Sequence, residues 1–472
     1  MPSNASRRRG AQLALLAFGS LVVALDFTIV YVALPEIARD VGVGAHDLQW
    51  VLSAYAVAYG GLLLLGGRMS DVLGRRRMFV AGMALFGTGS LLGALSSDPG
   101  QLITARVVQG AGGAVLFPAT LSLVATLFAE GPERNRAMTV WAGAGAVGLS
   151  LGALLGGVLT EVAGWEGVFV VNVPLVVGGA IAAIALLPTD APTAPGQRLD
   201  LPGALTGTAG ASLLVLAIAQ APERGWTSTT VLVAAAIAIA SCAAFLAIES
   251  RTADPLMPLR LLRHRPLVSA MGVIFAFGMT LQAVPYFLTL YLQDVLGFSA
   301  LEGGAAFLVP TLAITAGNAL ADRLVARIGV RRTLAAGMLV GAVGAALLAT
   351  LIAAGATYAG ALAGIALSGL GMGLVYPPMF LAAAAGTPPA EQGTASGMAS
   401  TALQVGSGVG LAVLVAVASS GLDGLGGEAL RAATADGLAA ALYVVAGGAL
   451  AGVAATIAVP SARAAEPVRA SR

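Results

Sequence analysis

What most constrains this chain is the recurrence of apolar runs about twenty residues long. A bilayer's hydrocarbon core is roughly 30 Å thick and is crossed by a helix of about 20 such residues. Runs at 11–34, 48–66, 78–97, 101–128, 137–160, 167–187, 201–220, 229–248, 267–293, 303–321, 333–353, 358–385, 395–419 and 437–459 predict fourteen transmembrane helices. Lipid offers the backbone no hydrogen-bond partner, so each span must satisfy its own N–H and C=O groups as a helix. The expected fold class is therefore an all-α membrane protein. Composition agrees, with 58% apolar and 10% charged residues against about 25% charged in soluble domains.

The few charges are informative by kind and place. All 25 basic residues are arginine, which excludes a Walker A lysine and a lysine Schiff base. Cys242, His46 and His264 lie far apart, so neither a disulfide framework nor a Cys/His metal site is expected, and no cofactor is implied. A net charge of +2 gives no reason to expect nucleic acid or nucleotide as a partner. Connections on the side of the termini hold 21 arginines, against three (Arg39, Arg224 and Arg431) on the other side. The positive-inside rule then predicts a multi-pass protein of the cell (inner) membrane with both termini cytoplasmic. Arg7 to Arg9 precede an apolar run longer than the roughly 7–15 residues of a signal peptide, so that run reads as the first span.

An internal repeat organises the spans. Gly110-Ala-Gly112 through Pro118 in the fourth span matches Gly369-Leu-Gly371 through Pro377 in the twelfth, at an offset of 259 residues. Gly67, Asp71 and Gly74 with three arginines after the second span resemble Asn318, Asp322 and Gly329 with Arg331 and Arg332 after the tenth, with four extra residues before the later glycine. Two six-helix pseudo-repeat halves are the architecture of many secondary transporters. The boundaries expected are 1–190 for the N-terminal half, 191–250 for a linker and two-helix insert, and 251–472 for the C-terminal half.

Inside the proposed spans only Asp26 and Arg106 are charged. An ion at the bilayer centre costs at least ~2.5–3.5 kcal/mol, so such residues face the protein interior and mark a pathway or relay. Helix rise places Asp26 roughly 12 Å and Arg106 about 8 Å from the outer surface, within reach of each other. Two readings of the pair stand side by side: a static contact fixing helix packing, and a titrating pair in which the carboxyl takes up a proton alone and releases it beside arginine. Arg106, Gln109, Gly113 and Phe117 share one face of the fourth span. In the ninth span Gln282, Tyr286, Thr289 and Gln293 form a polar stripe; Tyr31, Tyr55, Tyr59 and Gln404 join them as candidates for lining a weakly polar, aromatic substrate pocket. Gly145, Gly148, Gly152 and Gly156 line one face of the fifth span and invite a neighbouring backbone to approach closely. The GxGxxG within that span lacks the preceding strand that a dinucleotide site requires.

These motifs resemble the major facilitator superfamily, and within it the fourteen-span drug:proton antiporters of the EmrB/QacA type, over nearly the whole chain. Gly67-Arg-Met-Ser-Asp71-Val-Leu-Gly74-Arg75-Arg76-Arg77 is similar to the signature loop that controls the cytoplasmic gate. Leu25-Asp26 through Leu34-Pro35 resembles the first-span motif whose aspartate is associated with proton coupling, and Arg106 with Gln109 and Gly110 the fourth-span motif linked to proton transfer. Gly148, Gly152, Gly156 and Gly157 resemble the antiporter motif of the fifth span; Trp50, Asn172 and Pro174 also fit the branch. Three positions depart from it: Ala153 replaces a proline, Tyr31 an asparagine and Glu166 an arginine.

The resemblance implies a secondary active transporter that exports drugs, antibiotics or similar small amphiphiles in exchange for protons by alternating access. Its expected partners are the small-molecule substrate, protons and the lipid bilayer. An importer or exporter of an endogenous metabolite would use the same fold, because sequence physics does not fix direction. A membrane-embedded enzyme or receptor would need a catalytic cluster or a sizeable soluble domain, and the sequence offers neither.

Overall fold

The computed structural model describes residues 4–42, 45–129, 132–190, 200–252, 255–352, 357–385, 387, 392–422 and 425–460. Among these residues there are helices and turns and no strand. The first helices are α1 (Asn4–Asp40), α2 (Ala45–Leu73), α3 (Arg75–Ala94), α4 (Pro99–Leu127), α5 (Pro132–Ala163), α6 (Gly167–Val170) and α7 (Asn172–Leu186). A hairpin follows, α8 (Leu201–Arg224) and α9 (Thr229–Glu249). The remainder comprises α10 (Arg265–Met279), α11 (Val284–Leu290), α12 (Ala300–Ala306), α13 (Leu308–Ile328), α14 (Val330–Leu351), α15 (Tyr358–Ala384), α16 (Gln392–Ala418) and α17 (Gly427–Ala455).

Among the described residues twelve helical segments are long and apolar enough to cross a membrane. Two shorter apolar stretches, Trp50–Leu63 in α2 and Leu154–Ala163 in α5, fall at the second and fifth of the runs read from the sequence. Large apolar side chains such as Val162, Leu205, Ile239 and Leu312 are more than 65% exposed. A water-soluble protein hides such surface; hydrocarbon accepts it.

The chain forms two compact units. The first holds Met1–Pro258 with Phe298–Leu308, and the second Leu259–Gly297 with Val309–Arg472. In the first unit α1 lies along α5, α4 packs between α2 and α3, and the α8–α9 hairpin rests on α2. Glycine governs the first of these contacts. A methyl on Gly148 or Gly156 would lie 2.5 or 2.7 Å from the carbonyl oxygens of Leu21 and Ile29, and one on Gly152 would strike that of Leu25. The glycine face expected of the fifth span is therefore a track for the backbone of α1 on either side of Asp26. At the α8 contact Thr208 Oγ1 donates to the carbonyl of Gly61 at 2.6 Å.

In the second unit α15 packs on α14, and α10 on α16. The ninth span is not one α-helix. It breaks at Thr280 (φ −122°, ψ −89°), passes through a 3-10 turn at Leu281–Ala283 and α11, and ends in a π-helical turn at Tyr291–Val295. Pro285 lies just inside α11, where its missing N–H cannot continue the α-ladder back across the break. The i, i+4, i+7, i+11 spacing of Gln282, Tyr286, Thr289 and Gln293 thus does not define one continuous face. Tyr286 is buried beside Phe287, and the Thr289 hydroxyl donates to Pro285 O at 3.1 Å. Gln282, Gln293 and Gln404 are half-buried.

Candidate functional site

Five helices of the first unit meet at one polar cluster. Asp26 on α1 is 0% and Arg106 on α4 1% exposed, and Arg106 Nη1 donates to Asp26 Oδ2 at 2.8 Å. The other carboxylate oxygen, Oδ1, accepts from Gln109 Nε2 at 2.6 Å and from Asn172 Nδ2 of α7 at 2.8 Å. Gln109 also donates to Ser90 Oγ of α3 at 2.8 Å, while its Oε1 accepts from Arg106. From α2 the guanidinium gains two contacts: its Nε donates to Val51 O at 2.9 Å, and its Cζ stands 4.3 Å above the ring of Tyr55. Three charge-assisted hydrogen bonds on one carboxylate and a cation–π contact on its partner satisfy groups that would be very costly to bury alone.

Sequence reasoning placed Asp26 and Arg106 within reach of each other and Gln109 on the same helix face as Arg106, and the structure brings the three into contact. It also recruits Asn172 and Ser90. Asn172 stood in the sequence as a residue fitting the branch, and Ser90 carried no signal, because single hydroxyls in membrane helices usually bond their own turn. Ser90 does this too, donating to Phe86 O at 3.0 Å while accepting from Gln109.

The aromatic candidates join into a ladder beside the cluster. Tyr31 meets Phe27, Phe27 meets Tyr55, Tyr55 stacks on Tyr59 at 5.7 Å, Tyr59 meets Phe117, and Phe117 meets Trp141 at 5.2 Å. Phe27 and Trp141 were not singled out from sequence, and with Phe117 they are the partly exposed members. The ladder offers a long π-surface with a guanidinium over Tyr55, the third of its six rings.

The signature loop lies elsewhere in the same unit. Gly74 caps α3 with φ +106°, a conformation that glycine adopts without strain. The carboxylate of Asp190, after α7, accepts from the backbone N–H groups of Arg76 and Arg77 at 2.9 and 3.0 Å. It occupies the space that a side chain on residue 74 would need. Arg76 Nη2 reaches Ile184 O at 2.6 Å. Arg75 and Gly67 are half-buried; Pro118 of α4 stands beside Gly67, and Gly157 on α5 is buried. The side chains of Asp71 and Ala153 lie outside the described residues.

The internal repeat can be aligned through close backbone approaches. Gly110 lies against Tyr55 O and Gly369 against Pro310 O; Gly112 lies against Phe86 and Gly371 against Gly341; Gly89 lies against Gln109 and Gly344 against Ser368. Gly148 and Gly152 lie against Leu21 O and Leu25 O, Gly406 and Gly410 against Phe275 O and Met279 O. Gly179 and Gly452 each meet a methionine methyl, of Met83 and Met338. In this register Asp26, Tyr55, Ser90, Arg106, Gln109 and Asn172 correspond to Thr280, Pro310, Ala345, Ile365, Ser368 and Val445. It also aligns Gly74 with Gly329, both caps at positive φ. Asp322 consequently sits one helical turn before the place equivalent to Asp71, which corrects the pairing of those aspartates read from sequence.

The sequence model of the Major Facilitator Superfamily matches residues 16–411. A cephamycin export protein of Amycolatopsis lactamdurans is 38% identical over 415 residues, 87% of this chain and 85% of that protein. A puromycin resistance protein of Streptomyces alboniger is 39% identical over 420 residues, 87% and 82% of the two chains. The crystal structure of the human organic anion transporter TETRAN covers 95% of this chain and 99% of its own, with TM-score 0.64 and 19% identity. The POT family transporter PepTSo gives TM-score 0.66 at 14% identity over 94% of this chain and 97% of its own. At those identities the two structures speak for the fold alone. With the helical units, the repeated glycine contacts and these matches together, the chain belongs to the Major Facilitator Superfamily, a family of transporters rather than enzymes.

Proposed function

We propose that this protein exports antibiotics or similar small amphiphiles across the cell membrane in exchange for protons. The observation that carries the reading is the fully buried Asp26–Arg106 pair, tied by Gln109 and Asn172. The printed names of the relatives, a cephamycin exporter and a puromycin resistance protein, support the direction and the class of cargo.

In this mechanism a proton arriving at Asp26 neutralises the carboxylate and removes its attraction for Arg106. The guanidinium, still held by Val51 O and the Tyr55 face, turns toward the aromatic ladder and changes what that surface will bind. Loss of the proton restores the pair and resets the helices around it. Alternating access of the two six-helix halves converts this local exchange into transport, with Asp71 and Arg75 latching the cytoplasmic side. One charge crossing 100 mV releases about 2.3 kcal/mol, enough for a roughly fifty-fold substrate gradient. In this reading the twelve long helices and the two shorter stretches in α2 and α5 make fourteen spans; an even number puts both termini on one side, and the arginine-rich connections assign that side to the cytoplasm.

The test is transport in proteoliposomes with an acidic lumen, using cephamycin and puromycin as probes. Accumulation inside the vesicles that collapses when the pH gradient is dissipated is the expected result. Accumulation indifferent to the gradient would remove proton exchange from the account. Higher cellular levels of a compound in cells producing the protein would reverse the direction to import.

A further inference from the structure

The α8–α9 hairpin carries chemistry that the transport site does not use. Asp200 caps α8, its Oδ1 accepting from Gly203 N at 2.9 Å. Glu249 ends α9, and its Oε2 accepts from Met257 N at 2.8 Å in the connection that follows. These side chains are 8% and 3% exposed, so both are more than nine-tenths buried. Among the described residues each nevertheless leaves one oxygen with no donor, Oδ2 of Asp200 and Oε1 of Glu249.

Those two oxygens converge. A methyl on Gly203 would stand 2.5 Å from Asp200 Oδ2 and 2.8 Å from Glu249 Oε1. Among the described residues the charged group acting on Glu249 is Asp200; α2 meets α8 about two turns from Asp200, where Thr208 bonds to Gly61 O. Two carboxyls buried side by side cannot both stay ionised, because each opposes the other's charge and water is excluded. A proton on Glu249 Oε1 supplies the donor that Asp200 Oδ2 lacks.

We propose that Glu249 holds a proton and donates it to Asp200, forming a titratable clasp that joins the two ends of the hairpin to the connection at Met257. The proton comes from water and forms an O–H···O bridge; no other bond is made or broken. At low pH the clasp is closed. As pH rises and the proton leaves, two like charges face each other and the hairpin's ends loosen. The proposal does not rest on the transport mechanism, and nothing in its test requires a substrate.

The experiment uses the full-length protein in detergent, with Glu249→Gln and Asp200→Asn as variants. Infrared difference spectra are recorded from about pH 6 to about pH 9, together with thermal unfolding. The wild type should show a protonated-carboxyl stretch that disappears on titration, survives in Asp26→Asn and is missing from Glu249→Gln. Its Tm should fall by roughly 2–4 °C over the same range, whereas the variants should be flat. Asparagine at 200 still caps α8, so that variant gives the same reading if Glu249→Gln does not fold. An unchanged band and Tm slope in both variants would overturn the proposal. So would a wild type that lacks the band and is stabilised by added sodium or magnesium, because the oxygens would then hold a cation.

Discussion

Asp26 and Thr280 occupy the same place in two copies of one packing scheme, yet one anchors a buried ionic network and the other marks a helix break. The scaffold is shared: glycines at matching positions let α2, α3 and α4, and again α13, α14 and α15, approach to backbone contact. The chemistry is not. Where the first copy has Arg106, Gln109 and Asn172, the second has Ile365, Ser368 and Val445, buried to 1%, 1% and 0% exposure. Small residues thus specify how the helices pack in both copies, while at these matched positions the charged groups lie in the first copy alone. This is the arrangement expected if one unit senses protons and the other mainly supplies a packing surface.

Substitutions that separate scaffold from chemistry break or sharpen this comparison. The largest effect is expected from Arg106→Ala, which leaves the Asp26 carboxylate buried without its cation. It should cost ~3–5 kcal/mol and abolish gradient-driven transport. Ile365→Ala should cost ~2–5 kcal/mol as a cavity while leaving coupling to the pH gradient intact. Thermal unfolding and vesicle transport, measured on both, separate the two outcomes. Equal loss of coupling would erase the distinction between the copies.

Next come Gly152→Val and Gly410→Val. Each drives a side chain into a backbone carbonyl of the facing helix, Leu25 O or Met279 O. Overpacking of this kind costs about 1–3 kcal/mol, and a common scaffold requires similar Tm losses. Comparable in cost is Asn172→Leu, which takes one hydrogen bond from Asp26 Oδ1 at ~1–3 kcal/mol. It should shift the pH profile of transport, whereas Val445→Ala should not. At the bottom is Arg9→Ala. The Arg9–Glu133 pair is 59% and 39% exposed, so its loss should stay within ~1 kcal/mol and leave Tm and transport unchanged.

Much of this was legible in the sequence for one physical reason: a charge in an apolar run is expensive. That made Asp26 and Arg106 stand out, and it carried Gln109 with them through helical spacing. The glycine face of α5 was readable because four glycines at helical intervals have no other use in a membrane helix than close approach. The Ser90 and Asn172 contacts were not readable, since neutral polar side chains in membrane helices have many cheap partners. The Asp190 cap on α3 depends on residues 114 positions apart and leaves no local trace. The helix break at Thr280 was hidden because Pro285 also fits the first turn of a helix. The register of the repeat at Asp322 is set by backbone contacts that a sequence does not display, and they put Asp322 one turn from the place equivalent to Asp71. The Asp200–Glu249 convergence arises only when the hairpin closes, since the two residues bracket it in sequence.

The account stands most directly on Asp26→Asn reconstituted in liposomes. This side chain keeps the size and hydrogen-bonding reach of aspartate but cannot gain or lose a proton. With an imposed pH gradient the variant should lose uphill substrate movement while downhill exchange of substrate continues. Undiminished uphill accumulation by the variant would contradict the assignment of proton coupling to the buried pair.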